Sequence, residues 1–548
     1  MSAAPTVGAD VDVVVVGSGH NGLVAACYLA RAGLSVEVVE ADDVLGGAVS
    51  TVERWPGVRV DRGSSAHVLI RHSGIPEELD LAALGLRYID CDPWAFAPAP
   101  HPDDPGPAGR PLIFSVDLAA TCGSIAAACG EEDAAAYRRF VSVWAARSRI
   151  VATTFGVRPS PGALVRSLWP LGAPSAGRPR TPGAELAVDF LGSGDALLDK
   201  WFSSERLKAA LAWFGAQSGP PMSEPGTAAM VGWAALMHEV PPGHPVGGSG
   251  GLTEALRHRL ESDGSRVTLG DGAAGLLVEN GRIAGVTTVS GRRILAPAVV
   301  AAGHIQATRT LAGDDAPPAL ADAAPPLGNG FGLVVRALTD APPRYPGVGS
   351  HESLQGLQLL CTDRDDLAAA HGDWAAGRLP RAPVPLAMCF SASDDTLAPA
   401  GQHVVTIWGQ WYPYALADGA NWDALADAEG ARLVAAVDRY APGFADSVQR
   451  LHVQTPLALE RELSLPRGNV MHVEMGLASM FGFRPTPALS GYRVPGLPGL
   501  YLAGASTHPG GGVSGFSGRT AARVLLADRR PWVRALRRIG QRARPGAS

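Results

Sequence analysis

The apolar positions of this chain change period several times, and each change marks an element. Asp12-Val-Val-Val-Val16 is a short β-branched run without polar alternation, the pattern of a strand covered on both faces. After a glycine-rich stretch the spacing becomes helical. Leu23, Ala26, Cys27 and Ala30 share one face, and Gly33 is placed to stop the helix. Ser35 to Glu40 returns to a strand pattern and ends in an acid. Further along, Val267–Leu269, Gly275–Glu279 and Arg282–Thr288 read as consecutive strands. Asn280-Gly281 between the last two is a strong hairpin signal. Ala298–Ala302 is another buried run, stopped by Gly303. Gly499–Gly504 repeats the pattern and leads through a glycine-rich turn into a helical stretch, Arg519 to Leu526. No run of 18 uninterrupted apolar residues occurs, so no spanning helix is expected.

Composition narrows the class. With 548 residues, 46% hydrophobic, the chain has material for two to four domains with large cores. The net charge of -6 gives no basic field for nucleic acid, and no such partner is expected. The six cysteines (27, 91, 122, 129, 361 and 389) show no C-x-x-C spacing. That argues against a zinc ribbon or a disulfide framework, and free thiols fit a reducing cytoplasm. Met1–Asp10 has no signal-peptide layout. His67 and His72 lack an acid or thiol partner nearby, so no metal is expected. Charge is uneven: residues 528–548 hold one acid and seven arginines. There Trp532, Val533, Leu536 and Ile539 share a helical face. Such a tail reads either as a peripheral membrane contact or as a solvated terminal helix.

The first glycine stretch carries chemistry. Gly17-Ser-Gly-His20-Asn21-Gly22 is a G-x-G-x-x-G between strand and helix. Gly17 permits a tight turn, Gly19 lets backbone approach a pyrophosphate, and Gly22 lets helix and strand pack closely. Glu40, 21 residues after Gly19, is placed to accept hydrogen bonds from both ribose hydroxyls, which disfavours a 2′-phosphate. The motif admits FAD or NAD. Gly46-Gly47 would bring a second loop to the phosphates. Gly504, Gly512, Val513 and Ser514 lie in a turn before a helix N-terminus, which is suited to phosphate and to the electron-rich edge of a flavin. No second strand-bound G-x-G-x-x-G is present, so a built-in NAD(P) site is not expected.

Together GSGHNGLVAACYLARAG with Glu40 and LGG, PVGGSGG (245–251), GNVMHVEM (468–475) and GLYLAGASTHPGGGVSG resemble the phytoene (carotenoid) desaturase-like FAD-dependent oxidoreductases. The resemblance implies an α/β fold. A Rossmann-like FAD-binding domain of the glutathione reductase/amine oxidase type would join a second, α+β substrate domain. The FAD domain would be woven from 1–75, 240–320 and 460–527, the substrate domain from 76–239 and 321–459, with 528–548 as the basic tail. It implies an enzyme that takes hydride from a large apolar, polyene or isoprenoid-like substrate to flavin N5. Oxygen or a quinone would serve as external electron acceptor. Relatives use the same flavin for isomerisation or redox-coupled cyclisation, and Rab-escort-type proteins use the fold to bind prenylated partners without chemistry. The resemblance would put the backbone near Ala273 against the adenine.

Catalytic candidates are fewer. His472 and Glu474 alternate, so on a strand they would share a face, either as a proton-handling pair or as a structural bridge. His508 sits beside the second glycine turn, as a cap or as a catalytic group. Gly248, within Pro245–Gly251, would let backbone approach the flavin face or simply form a connecting turn. Trp408, Trp411, Tyr412 and Tyr414 would line a tunnel or fill a core. Phe155–Leu171 reads as an apolar lip at the substrate mouth or as a surface segment, and Gly177–Gly183 as a mobile connection. The location expected is cytoplasmic, with contact at a membrane surface if the tail binds lipid.

Overall fold

The computed structural model describes residues 9–172 and 183–530. The basic tail from residue 531 onward and the connection at 177–182 lie outside them. Two sheets organise the chain. The first is five-stranded and parallel, in the order Leu500–Leu502, Val299–Ala301, Val13–Val16, Val36–Val39, Arg266–Thr268. Its central strand is Val13–Val16, whose first three valines are fully buried, as the unalternated run requires. The helix His20–Arg31 follows it and packs against Phe516–Arg529 and Gly250–Ser262. The approach is close because glycine permits it: a Cβ on Gly518 would stand 2.1 Å from the Asn21 carbonyl oxygen. The Asn280-Gly281 hairpin forms with both residues at positive φ (51° and 70°), joining Ala273–Glu279 to Arg282–Thr288.

The second sheet has seven strands, in the order Val448–Gln454, Gly332–Thr339, His403–Gln410, Pro385–Met388, Leu357–Leu359, Ala95–Ala97, Leu112–Phe114. Its pairs are antiparallel except Leu357–Leu359 with Ala95–Ala97. Alternation along Gly332–Thr339 sends Leu333, Val335 and Ala337 into a core with Leu433 and Val437 of the helix Trp422–Asp438. Val334 and Arg336 therefore face the other way. A second core, rich in Trp94, Trp144 and Trp213, fills the space under the helices Leu118–Cys129, Glu131–Phe155 and Glu205–Ala216.

The two sheets are stitched together. Tyr88–Asp90 pairs with Gly243–Pro245. The hairpin of Thr51–Trp55 and Val58–Asp61 packs Val58 and Val60 against Leu338 and Val404 of the larger sheet. Burying those apolar faces holds the sheets in register around the space between them.

Candidate active site

That space is a cavity of about 480 Å³. Three stretches far apart in sequence converge on it. Gly17, Gly19, His20 and Asn21 line it beside Glu40, Gly46 and Gly47, and Gly504, Gly512 and Val513 approach from the end of the chain. The larger sheet closes it with Phe331, Val334, Arg336, Met388, Thr406 and Trp408.

The first turn has the geometry its glycines permit. Gly17 sits at φ +100°, a conformation side chains disfavour. A Cβ on Gly22 would stand 2.2 Å from the Gly17 carbonyl oxygen, so Gly22 is a packing residue and does not line the cavity. A Cβ on Gly19 would meet nothing within 4 Å, which leaves its backbone open toward the cavity. Glu40 does more than end a strand. Its Oε2 accepts from the Ser18 amide (2.7 Å) and hydroxyl (2.9 Å), and its Oε1 accepts from the Asp42 amide (3.0 Å). The Ser18 hydroxyl in turn accepts from the Gly46 amide. Glu40 and Ser18 thus tie the two glycine turns into one cradle, with Glu40 still lining the cavity. Motif reading passes over Ser18, because it occupies a variable position of the pattern.

Several expected contacts fall elsewhere. Gly248 lies in a turn fixed by Thr51 and Asp61, where a Cβ would stand 2.4 Å from Thr51 Oγ1, and it does not line the cavity. It is a connecting turn. Ala273 opens the strand Ala273–Glu279 opposite Thr288 and also lies outside the lining. Ser514 is buried behind the wall beside the start of the helix Phe516–Arg529. Of the four aromatics, Trp408 lines the cavity, with Phe331 stacked on it at 5.6 Å. Trp411 and Tyr412 are core residues, and Tyr414 bonds Glu460.

The pairing of His472 with Glu474 fails, because the segment is not a strand. His472 takes φ +64°, and the turn swings the two side chains apart. His472 lines the cavity, with its Nδ1 3.1 Å from Ser506 Oγ and its ring 5.1 Å from that of His304. Burial, then the nearby His304 and Arg484, hold its pKa well below the usual range, so it is neutral at pH 7. His304 takes a hydrogen bond from the Gln306 amide on Nδ1 and donates from Nε2 to the His472 carbonyl, which fixes its tautomer. Glu474 turns instead into a separate pocket of about 110 Å³ with Glu224, Trp374 and Trp411. Burial raises its pKa, and burial plus the Glu474 charge raises that of Glu224.

His508 is likewise not in the cavity. It is 1% exposed, donates from Nε2 to the Thr154 carbonyl at 2.8 Å, and lies between Phe155 and Phe481. Burial lowers its pKa to about 4. Its geometry is that of a structural link between the second glycine turn and the helix Glu131–Phe155.

Arg484 is a group that sequence reading missed. It is fully buried and donates to the carbonyls of Met471, Val473, Glu474, Ser479 and Ala505, at 2.6 to 3.2 Å. Burial lowers its pKa to about 9. It locks the loop that carries His472 against the turn that carries Ala505. Its carbonyl partners leave no sequence signal. Among the described residues no group of three or more His, Cys, Asp or Glu side chains is placed to hold a metal ion.

Residues 15–74 match the NAD(P)-binding Rossmann-like domain family. The chain is 32% identical over 555 residues to the rat pyridine nucleotide-disulfide oxidoreductase domain-containing protein 2, covering 95% of this chain and 94% of that one. It is 28% identical over 524 residues to the hydroxyneurosporene desaturase of Cereibacter sphaeroides, covering 94% and 97%. The chain belongs to the phytoene desaturase-like family. The fold is similar to that of the cyclohexylamine oxidase of Brevibacterium oxydans, with a TM-score of 0.53 at 17% identity, over 96% of this chain and 100% of that one. As a member of the phytoene desaturase-like family the protein is an oxidoreductase of the flavin type. Among the described residues no helix is long and apolar enough to cross a membrane.

Proposed function

We propose that the protein binds FAD in this cavity and oxidises, by desaturation, a large apolar substrate held against the seven-stranded sheet. The carrying observation is the convergence of the Gly17–Gly22, Gly46–Gly47 and Gly504–Val513 turns on one cavity whose opposite wall is Phe331, Val334, Met388 and Trp408. The residues present fit an extended dinucleotide. The open side of Gly19 leaves room for a pyrophosphate, and a Cβ on Gly47 would lie 3.8 Å from Gly19 Cα, so the two turns form one continuous cradle. Glu40 lies at the end where a ribose would reach it.

FAD, when bound, supplies a hydride acceptor. The chain's own part is alignment, exclusion of water and management of one proton. Phe331, Trp408 and Met388 give an apolar wall that orients a C–H bond without polar contacts. In the tautomer that donates from Nδ1 to Ser506 Oγ, neutral His472 has Nε2 without a hydrogen bond among the described residues and able to accept a proton lost from the substrate. Arg484 and His304 hold it in place. Oxygen or a quinone is the external acceptor in this reading.

Exposed apolar side chains support delivery of such a substrate from a lipid phase. Val165 (62%) and Trp169 (72%) are exposed in the segment that follows Phe155, and exposed Leu191 and Leu477 both contact Gly226. The decisive experiment is anaerobic mixing of the purified holoenzyme with long polyenes, followed by flavin absorbance. Bleaching in step with a new double bond supports desaturation. Product without net bleaching points to isomerisation and overturns it.

A further inference from the structure

The cavity holds two arginines in opposite situations. Arg62 is paired: it meets Asp42 at 2.7 Å and donates to the Glu462 carbonyl. Arg336 is not. It is 1% exposed, lies on the cavity face of Gly332–Thr339, and has no carboxylate among the described residues in ion-pair contact. Its guanidinium donates to Ser65 Oγ (3.1 Å), Thr406 Oγ1 (2.6 Å) and the Gly63 carbonyl (2.8 Å). Its buried Nε has no partner. Three bonds from five N–H groups leave two unused.

The nearest acids, Asp61 and Glu462, favour its charge through space but make no ion-pair contact with it. Asp61 accepts from Thr51 and from the Ser249 amide, and Glu462 accepts from Gln454 and lies 3.6 Å from His452. A buried, unpaired guanidinium is costly, and a neutral side chain would staple Gly63–Ser65 to Thr406 without that cost. The charge is thus left without a direct ion-pair contact among the described residues, and a carboxylate entering the cavity would supply one. The cradle of Gly17, Gly19 and Gly46 offers backbone to phosphates on the opposite wall, and the N-terminus of Phe516–Arg529 follows the second glycine turn. Arg336 stands instead among Val334, Thr406 and Trp408, on the substrate's side.

We propose that Arg336 receives a carboxylate carried by the substrate, so that the ligand of this cavity is a long apolar molecule with an acidic end. The unused N–H on Nη2 can donate to a carboxylate oxygen, and the surrounding wall suits a polyene or aliphatic body. This rests on the apolar-substrate reading above and adds the anionic end to it.

The test titrates the holoenzyme with retinoate and with retinol, matched in length and differing in charge, and follows perturbation of the flavin spectrum. Retinoate is expected to bind at least tenfold tighter. Arg336→Gln is expected to abolish that preference, weakening retinoate more than retinol, and Arg336→Lys to keep part of it. Equal binding of the two ligands to the wild-type protein overturns the carboxylate site and leaves the apolar-substrate reading standing. A preference that survives in Arg336→Gln overturns it as well. So does a lowered flavin midpoint potential in that variant with the preference intact, since the charge would then serve the flavin. If Arg336→Gln does not fold, the wild-type ratio and Arg336→Lys decide. Silence from both ligands overturns the apolar-substrate reading and this proposal together.

Discussion

One wall of the cavity offers a ligand mostly backbone: Gly17, Gly19, Gly46 and Gly47, fixed by Ser18 and Glu40. The facing wall offers side chains on neighbouring strands: Val334 and Arg336 on one, Thr406 and Trp408 on the next. The first wall suits a ligand that never changes, because backbone groups in tight turns admit few substitutions. The second can change its ligand by changing an inward residue such as Val334 or Trp408, since Leu333, Val335 and Ala337 on the other face carry the packing against the helix Trp422–Asp438. Conversion of a shared fold to new substrates would therefore leave the first wall nearly intact.

Substitutions that push the first wall out of place from behind should be the most damaging. In Gly22→Ala the new Cβ would stand 2.2 Å from the Gly17 oxygen, with no flexible atom to yield. A loss of about 3 kcal/mol or more and of bound cofactor is expected by calorimetry and flavin absorbance. Normal stability in that variant would break the comparison.

Acid should act behind the second glycine turn through His508, whose pKa in the folded protein is about 4. The unfolded chain takes the proton first, near pH 6.5, so the contribution is complete above that pH and is lost as pH falls from 6.5 to 4. The expected loss is on the order of 3 kcal/mol at full protonation, read from denaturant midpoints across that range. His508→Asn should remove its share of that loss and leave the part due to His20, His67 and His472, whose pKa values burial also lowers.

Glu40→Ala removes a carboxylate that holds two amides and a hydroxyl. Weaker cofactor retention by about 1.5–3 kcal/mol per charged hydrogen bond is expected after dialysis. Trp408→Leu, on the opposite wall, should keep its cofactor and lower kcat/KM. Equal cofactor loss in both would erase the difference between the walls.

The smallest effect belongs to the outside. Trp169→Glu should change stability by less than about 0.5 kcal/mol while reducing co-sedimentation with lipid vesicles. Unchanged co-sedimentation would remove delivery from a lipid phase from the account.

The same contrast explains what was legible beforehand. Backbone recognition is tied to spacing, so Gly17, Gly19, Glu40, Gly46 and Gly512 could be read from the chain and do meet at one cavity. The hairpin at Asn280-Gly281 was legible for the same reason. Side-chain walls carry no spacing rule. His472 and Glu474 looked like strand neighbours because alternation was assumed, and a positive φ at His472 separates them. Gly248 and Ala273 were assigned by position in a family layout, yet their contacts are local. Arg484 acts through carbonyls, which leave no pattern. Arg336 did leave one, a lone charge within the apolar strand Gly332–Thr339, but a signal that small gains meaning only once the strand's inward face is known.

The central claim is that the three glycine turns cradle a flavin dinucleotide. Its most direct test is the cofactor released on denaturing the purified, gel-filtered protein, identified by chromatography and counted per chain. One FAD per chain, with yellow absorbance lost in Gly22→Ala, is the predicted result. A colourless protein that takes up no FAD when refolded or incubated with it would contradict the account.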